Sequence, residues 1–221
     1  MRSKTSKADK PPLAKSGAER REDILSAARD LFYSRGFETG SMRELAVYLN
    51  FTQAALYYHF KSKDEILFSV LEHFTGHVLK SLTESLDAEP SIVGLCNTIR
   101  LHVTISRQYT KDVKLLIEDR KLLSTVSAKA IENKEREIFD LYRQKIRLLT
   151  KSGELRSVSP VVMTFTLLAA VNGVYQWYDT KGPLDIDEIA DQILRILLGG
   201  IVTDKARKQL PADLARIFKT P

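Results

Sequence analysis

The stretch Thr52-Gln53-Ala54-Ala55-Leu56-Tyr57-Tyr58-His59-Phe60-Lys61-Ser62-Lys63-Asp64-Glu65 decides how the rest of the chain is read. Thr52 is suited to cap a short helix over residues 53–59, because its hydroxyl can accept from an amide that the first turn leaves free. Leu56 and Phe60 recur at helical spacing and point one way, into a core. Ser62-Lys63-Asp64-Glu65 then has the pattern of a capping box and opens a longer helix, expected to run to about Leu82.

Upstream, Ser41-Met42-Arg43-Glu44 is another capping box and starts a helix ending near Leu49-Asn50, where asparagine tolerates a left-handed stop. Before it, Ile24, Leu25, Ala28, Leu31 and Phe32 recur at helical spacing in a helix expected from near Ala18 to Arg35. Gly36 supplies its left-handed end. Residues 41–60 therefore read helix, tight turn, helix, braced by a separate first helix, with Phe32, Leu45, Leu56 and Phe60 as a shared core. That arrangement lets a second helix lie in the major groove of DNA.

Three segments together resemble the N-terminal domain of the TetR family of transcriptional regulators. They are Ile24-Leu25-x-Ala27-Ala28-x-x-Leu31-Phe32-x-x-x-Gly36-Phe37, the run Ser41-Met42-Arg43-Glu44-Leu45-Ala46, and the stretch from Thr52 to Glu65. The resemblance implies that Gln53 reads a base edge, where its amide can pair with adenine in a bidentate way. Arg43 becomes a second reader, of guanine; an exposed arginine paired with a nearby acid is the alternative. Ala54 and Ala55 are small enough to let the helix approach the bases. Ser41, Thr52, Tyr57, His59 and Lys63 match positions that touch phosphates and set register rather than sequence preference. Of Tyr57 and Tyr58, one is expected to pack and one, Tyr57, to face DNA.

Beyond Pro90 the patterning is again helical, over about 91–108, 112–123, 127–151, 160–179 and 185–200, with no useful stretch of period two. Gly153, Ser159-Pro160 and Gly182-Pro183 punctuate it. The fold class is all-α. Residues 204–218 are basic and weakly amphipathic, and read as a short extra helix or a frayed end.

Two helices are apolar along one face: Val162, Phe165, Leu168, Ala169, Asn172 and Tyr175 in one, Ile186, Ile189, Ile193, Ile196 and Leu197 in the other. Such stripes serve either the core of one chain or a four-helix interface between two. The resemblance implies the second, a homodimer placing two recognition helices one duplex turn apart on palindromic operator DNA.

Asn172 to Tyr178, Gly182-Pro183-Leu184 and Ile189-Ala190 resemble the end of sensor domains in acyl-CoA and lipid-metabolism regulators of the family. Three effectors stay open: an acyl-CoA or fatty acid, another hydrophobic or aromatic small molecule, or none. A pocket is expected among residues 91–179, with Phe165, Asn172 and Trp177 as lining. Arg100, Arg107 and Arg147 are available for phosphates, although spare surface arginines are equally expected. Release of DNA is expected through a shift of the helix beginning at Lys63, taken as the only long element joining the two parts.

The 221 residues are 43% hydrophobic, enough for a sizeable core. The net charge of +6 is uneven: +4 over residues 1–18, −1 over 19–65, 0 over 66–200 and +3 over 201–221. DNA binding by residues 19–65 must therefore use placed bases and helix N-termini rather than bulk charge. The expected layout is a disordered basic arm (1–18), either drawn to DNA or merely solubilising, a helix-turn-helix domain (19–65), a sensing and dimerisation domain (66–203) and a basic extension (204–221).

No stretch is apolar enough for a membrane span, and the first residues lack the apolar core of a signal peptide, so a cytoplasmic protein is expected. The single cysteine, Cys96, sits in an apolar helical pattern as buried filler rather than a reactive thiol. His73 and His77 share a helix face but lack a third ligand. No phosphate loop or nucleophile elbow is present. No enzymatic activity, metal or cofactor is expected. The function implied is a ligand-responsive regulator, a repressor released by a small hydrophobic effector; the alternative is a helical DNA-binding or interaction module without a ligand.

Overall fold

In the computed structural model, which describes residues 16–85 and 91–218, the first helix starts slightly before the composition shift near residue 19. Helix α1 (Gly17–Arg35) opens at Ser16, whose hydroxyl caps the amide of Glu19 while the Glu19 carboxylate reaches back. Residues 1–15 of the expected basic arm lie outside the described residues. Gly36 ends α1 with φ +82°, a value that a side chain would strain. Helix α2 (Met42–Tyr48) has its Ser41/Glu44 capping box, and Asn50 (φ +55°) makes the left-handed stop before α3 (Gln53–His59), capped by Thr52.

Helix α4 (Lys63–Ser85) begins differently from a reciprocal box. Ser62 accepts from the Glu65 amide, but the Glu65 carboxylate reaches one residue further back, to the amide of Lys61. The three-helix core is as expected: Phe32, Leu45, Leu56 and Phe60 are all buried. Phe32 meets Phe37 edge to face with centroids 5.2 Å apart. Each such side chain contributes about 1.5–3 kcal/mol by burial, so a core this small depends on every member.

The remainder consists of α5 (Ile92–Gln108), α6 (Thr110–Glu118), a 3-10 turn (Arg120–Leu122), α7 (Thr125–Lys151), α8 (Pro160–Trp177), α9 (Ile186–Leu198), α10 (Asp204–Arg207) and α11 (Ala212–Ile217). Among the described residues there is no strand, only an isolated bridge between Leu155 and Val202. Helix α5 supplies the centre, with Leu95, Ile99 and Val103 fully buried. Cys96 is buried beside them, and burial pushes its thiol up to about 12, as expected of an inert filler. His102 meets the Tyr142 hydroxyl at 3.1 Å, and complete burial holds its imidazole neutral down to about 4.

The stretch 204–218 forms two short helices folded onto α9 rather than a basic tail. Arg207 spends its guanidinium on the carbonyls of Gly199, Val202 and Phe218, while Leu214, Ile217 and Phe218 are buried.

The α9 stripe divides. Ile189 and Ile193 belong to the core of the single chain, and only Ile196, 77% exposed, faces out. Periodicity shows that a helix has an apolar face but not which neighbour covers it.

Helix α4 is not the only element joining the two parts. Its most extensive pairing is with α7, and its first turn is tied there: Asp64 accepts from the Ser124 amide at 2.6 Å and the Ser127 hydroxyl at 3.1 Å. Helix α6 packs on α1, where Lys111 pairs with Asp30 at 2.6 Å and Arg29 approaches Asp112 at 2.8 Å. The latter contact is ionic rather than a well-aligned hydrogen bond. Burial raises the Asp112 carboxyl above its ordinary value, against the pull of Arg29 and of His73.

Candidate nucleic-acid interface and ligand cleft

The residues singled out in the sequence fall into two shallow depressions, one on either side of α3. Ser41, Arg43, Gln53, Tyr57 and Lys63 line one, together with Lys61 and Ser62; Thr52 and His59 line the other, with Arg20, Tyr48 and Asn50. Gln53 is the first residue of α3 and Arg43 the second of α2, so both side chains stand where helix N-termini present free amides. Both are exposed, and neither has a hydrogen-bond or ion-pair partner among the described residues. The acid nearest in sequence, Glu44, is engaged by Ser41 and by Arg35 at 3.7 Å, and among the described residues no acid pairs with Arg43.

Ala54 and Ala55 are exposed on the same short helix. The Thr52 oxygen accepts from Ala55, which leaves its hydroxyl proton available. The Ser41 hydroxyl is spent at both ends, on the amide and the carboxylate of Glu44.

One expectation needs correction. Tyr57 (44%) and Tyr58 (78%) are both exposed, and neither packs in the core. On a helix this short, Leu56 and the following Phe60 already fill the inward face. Lys63 does not present a free ammonium: its Nζ donates to the carbonyls of Phe37 (2.6 Å), Glu38 (3.1 Å) and Gly40 (2.9 Å) and lies 4.4 Å from the centre of the Phe37 ring.

In the helical remainder a cleft of about 1000 Å³ opens between the 3-10 turn, α7 and α8. Phe165 and Asn172 line it as expected, with Ile117, Leu168 and Tyr175, and Phe165 packs on Phe139 with centroids 4.7 Å apart. Trp177 is exposed and lies outside it. So do the three expected arginines. Arg100 is held by Asp191 at 2.6 and 2.9 Å, Arg107 lies over the Tyr178 ring, and Arg147 is exposed elsewhere on α7.

The arginines of the cleft are Arg120, Arg136 and Arg143, which the sequence reading missed. Arg120 pairs with Glu135 and Arg143 with Asp140, whereas Arg136 has no such partner among the described residues. A signal existed: Glu132, Glu135, Arg136, Phe139, Asp140 and Arg143 recur at three- and four-residue steps, one face of α7.

Comparison with known proteins bears on both regions. The model of bacterial regulatory proteins of the tetR family matches residues 24–70, and the model of the tetracyclin repressor-like C-terminal domain matches residues 93–201. The chain belongs to the TetR family. A TetR/AcrR-family transcriptional regulator from Thermobifida fusca YX-ER1 is 30% identical, with a TM-score of 0.67 over 82% of this chain and 98% of that one. AibR, solved in complex with isovaleryl coenzyme A and operator DNA, is 25% identical, with a TM-score of 0.76 over 81% of this chain and 98% of its own. The HTH-type transcriptional repressor KstR2 of Mycolicibacterium smegmatis is 24% identical over 203 residues, covering 90% of this chain and 98% of its own. As a TetR regulator the chain carries its helix-turn-helix in α2 and α3. Among the described residues no helix is long and apolar enough to cross a membrane.

Proposed function

We propose that this TetR protein is a cytoplasmic repressor that binds palindromic operator DNA as a homodimer and leaves it when a small effector enters the cleft between α7 and α8. The observation that carries the first half is the unpartnered pair Arg43 and Gln53, presented together at two helix N-termini over a rigid core. Gln53 takes an adenine edge and Arg43 a guanine edge, while Thr52, Tyr57 and His59 meet phosphates. Two recognition helices about one duplex turn apart then match a two-fold symmetric site.

Val161 and Val162 at the start of α8 and Ile196 on α9 form the dimer surface. They are exposed apolar side chains in neighbouring helices, in the region that matches the family's C-terminal domain. The effector carries an apolar or aromatic part for the Phe139–Phe165 pair and a negative group for Arg136. An acyl-CoA thioester or a fatty acid meets that description, and the likeness to AibR, solved with isovaleryl coenzyme A, supports the thioester.

Selecting bound genomic fragments yields the operator. Fluorescence anisotropy on that duplex should then show release by isovaleryl-CoA or a longer acyl-CoA. An operator complex indifferent to every thioester and free acid tested would remove the effector half of the proposal while leaving the DNA half standing.

A further inference from the structure

Resting on the effector reading above, we infer that the cleft between α7 and α8 is incomplete in one chain, and that a second copy docked on α8 and α9 supplies its missing wall. Each effector then touches both subunits, and effector binding and dimerisation strengthen one another.

The 3-10 turn, α7 and α8 wall the cleft, and the remaining side is open. Phe165 marks the gap: it lines the cleft and packs on Phe139 at 4.7 Å, yet is 62% exposed. An apolar effector laid on that aromatic pair buries one side of itself and leaves the other in water. Sites that hold a small ligand cover most of it, roughly 70–90% of its surface, so a groove with an open side falls short by itself.

The open side continues into the surface that pairs the chains. On α8 the cleft takes Phe165, Ala169, Asn172 and Gln176, a single row at four- and three-residue steps. Val162 stands three residues before Phe165, and Thr166 three before Ala169; both are exposed and neither lines the cleft. Residues three apart are neighbours on a helix, about 5–6 Å between Cβ atoms, so a helix seated on Val162 and Thr166 stands beside Phe165. Further along, Ala169 and Gly173 offer little bulk, and the space over Gly173 is open. A second backbone can therefore come close there. The occupant is another copy of this chain because a two-fold contact is self-complementary: α8 of each subunit covers the cleft of the other, and one interface closes two sites.

Two measurements test this. In the first, isovaleryl-CoA and a longer acyl-CoA are titrated by calorimetry into wild type and into Val162→Asp with Ile196→Asp, which alters no residue lining the cleft. Thermal melting checks the fold and sedimentation velocity the oligomer. The folded monomer should bind the thioester about tenfold more weakly or worse than the wild-type dimer. In the second, wild type labelled with donor or acceptor at the N-terminus is mixed, and subunit exchange is followed by energy transfer. Bound thioester should slow exchange several-fold, since a ligand held by both subunits opposes their separation, as linkage requires.

A folded monomer that binds the thioester as tightly as wild type overturns the inference, as does an exchange rate that the bound thioester leaves unchanged. A double variant that stays dimeric places the interface elsewhere and overturns it too. The exchange measurement uses no variant and decides the matter if the double variant does not fold. If wild type binds none of the thioesters, the effector reading fails first and this inference falls with it.

Discussion

Replacing Arg29 by methionine should leave a carboxylate stranded at the junction of α1, α4 and α6. The Asp112 side chain is 4% exposed, and the Arg29 Nε lies 2.8 Å from its Oδ1. Burial already raises the Asp112 carboxyl above its ordinary value, while Arg29 and, from α4, His73 pull it down. Breaking a buried pair from one side costs about 3–5 kcal/mol, because the remaining charge keeps its desolvation penalty and loses its compensation. That is a large share of the roughly 5–15 kcal/mol that holds a domain folded.

The sign with pH follows from the raised pKa. The native state binds more protons than the unfolded one between the ordinary value and the raised one, so this group's contribution is fully present at low pH and is lost as pH rises through the native value. Without Arg29 the native value climbs further, and the window widens upward. Urea denaturation should therefore show Arg29→Met well below wild type at pH 7.5, with the gap narrowing at pH 5. Taking the difference between the two proteins cancels carboxylates elsewhere. Adding Asp112→Leu should restore much of the loss at pH 7.5 by removing the stranded charge. The reasoning fails if Arg29→Met alone changes stability by less than about 1 kcal/mol, the range of an exposed pair, or if the double variant is no more stable than the single one.

Gln53→Ala should weaken binding to the selected duplex by about 1–3 kcal/mol and relax preference at one base pair per half-site, as read by anisotropy on a panel of single-base changes. Val162→Asp with Ile196→Asp should give folded monomers in sedimentation velocity, since both side chains are exposed in the single chain. Ile193→Asp, by contrast, buries a charge at a position only 8% exposed and should lower the melting temperature sharply. Arg136→Ala should raise the concentration of acyl-CoA needed for release by roughly tenfold or more, the loss of one charge-assisted hydrogen bond.

The N-terminal part was legible because its signals are local. Caps at Ser41 and Thr52, the stop at Asn50 and the inward pair Leu56 and Phe60 act within a turn or two of sequence, and each is found in place. The resting place of the Lys63 ammonium was not legible because the carbonyls it meets lie more than twenty residues away, in a connection without periodicity. The arginines singled out in the helical remainder lie outside the cleft for the same reason. Arg100 is captured by Asp191, 91 residues on, while the α7 face bearing Arg136 meets α8 only once the bundle is assembled. Apolar stripes on α8 and α9 were seen, but the division of α9 between core and surface depends on the crossing of α5 and α9, which no single helix encodes.

The carboxylate of Asp64 is a fulcrum. It fastens the first turn of α4 to the head of α7, so α4 can swing about that point but cannot slide past it. From Asp64 to Leu82 the helix extends about 27 Å, so the proposed effector would act on α4 far from this tie, and the tie to Ser124, together with the packing of α6 on α1, would set how freely a shift of the far end reaches the DNA-binding helices.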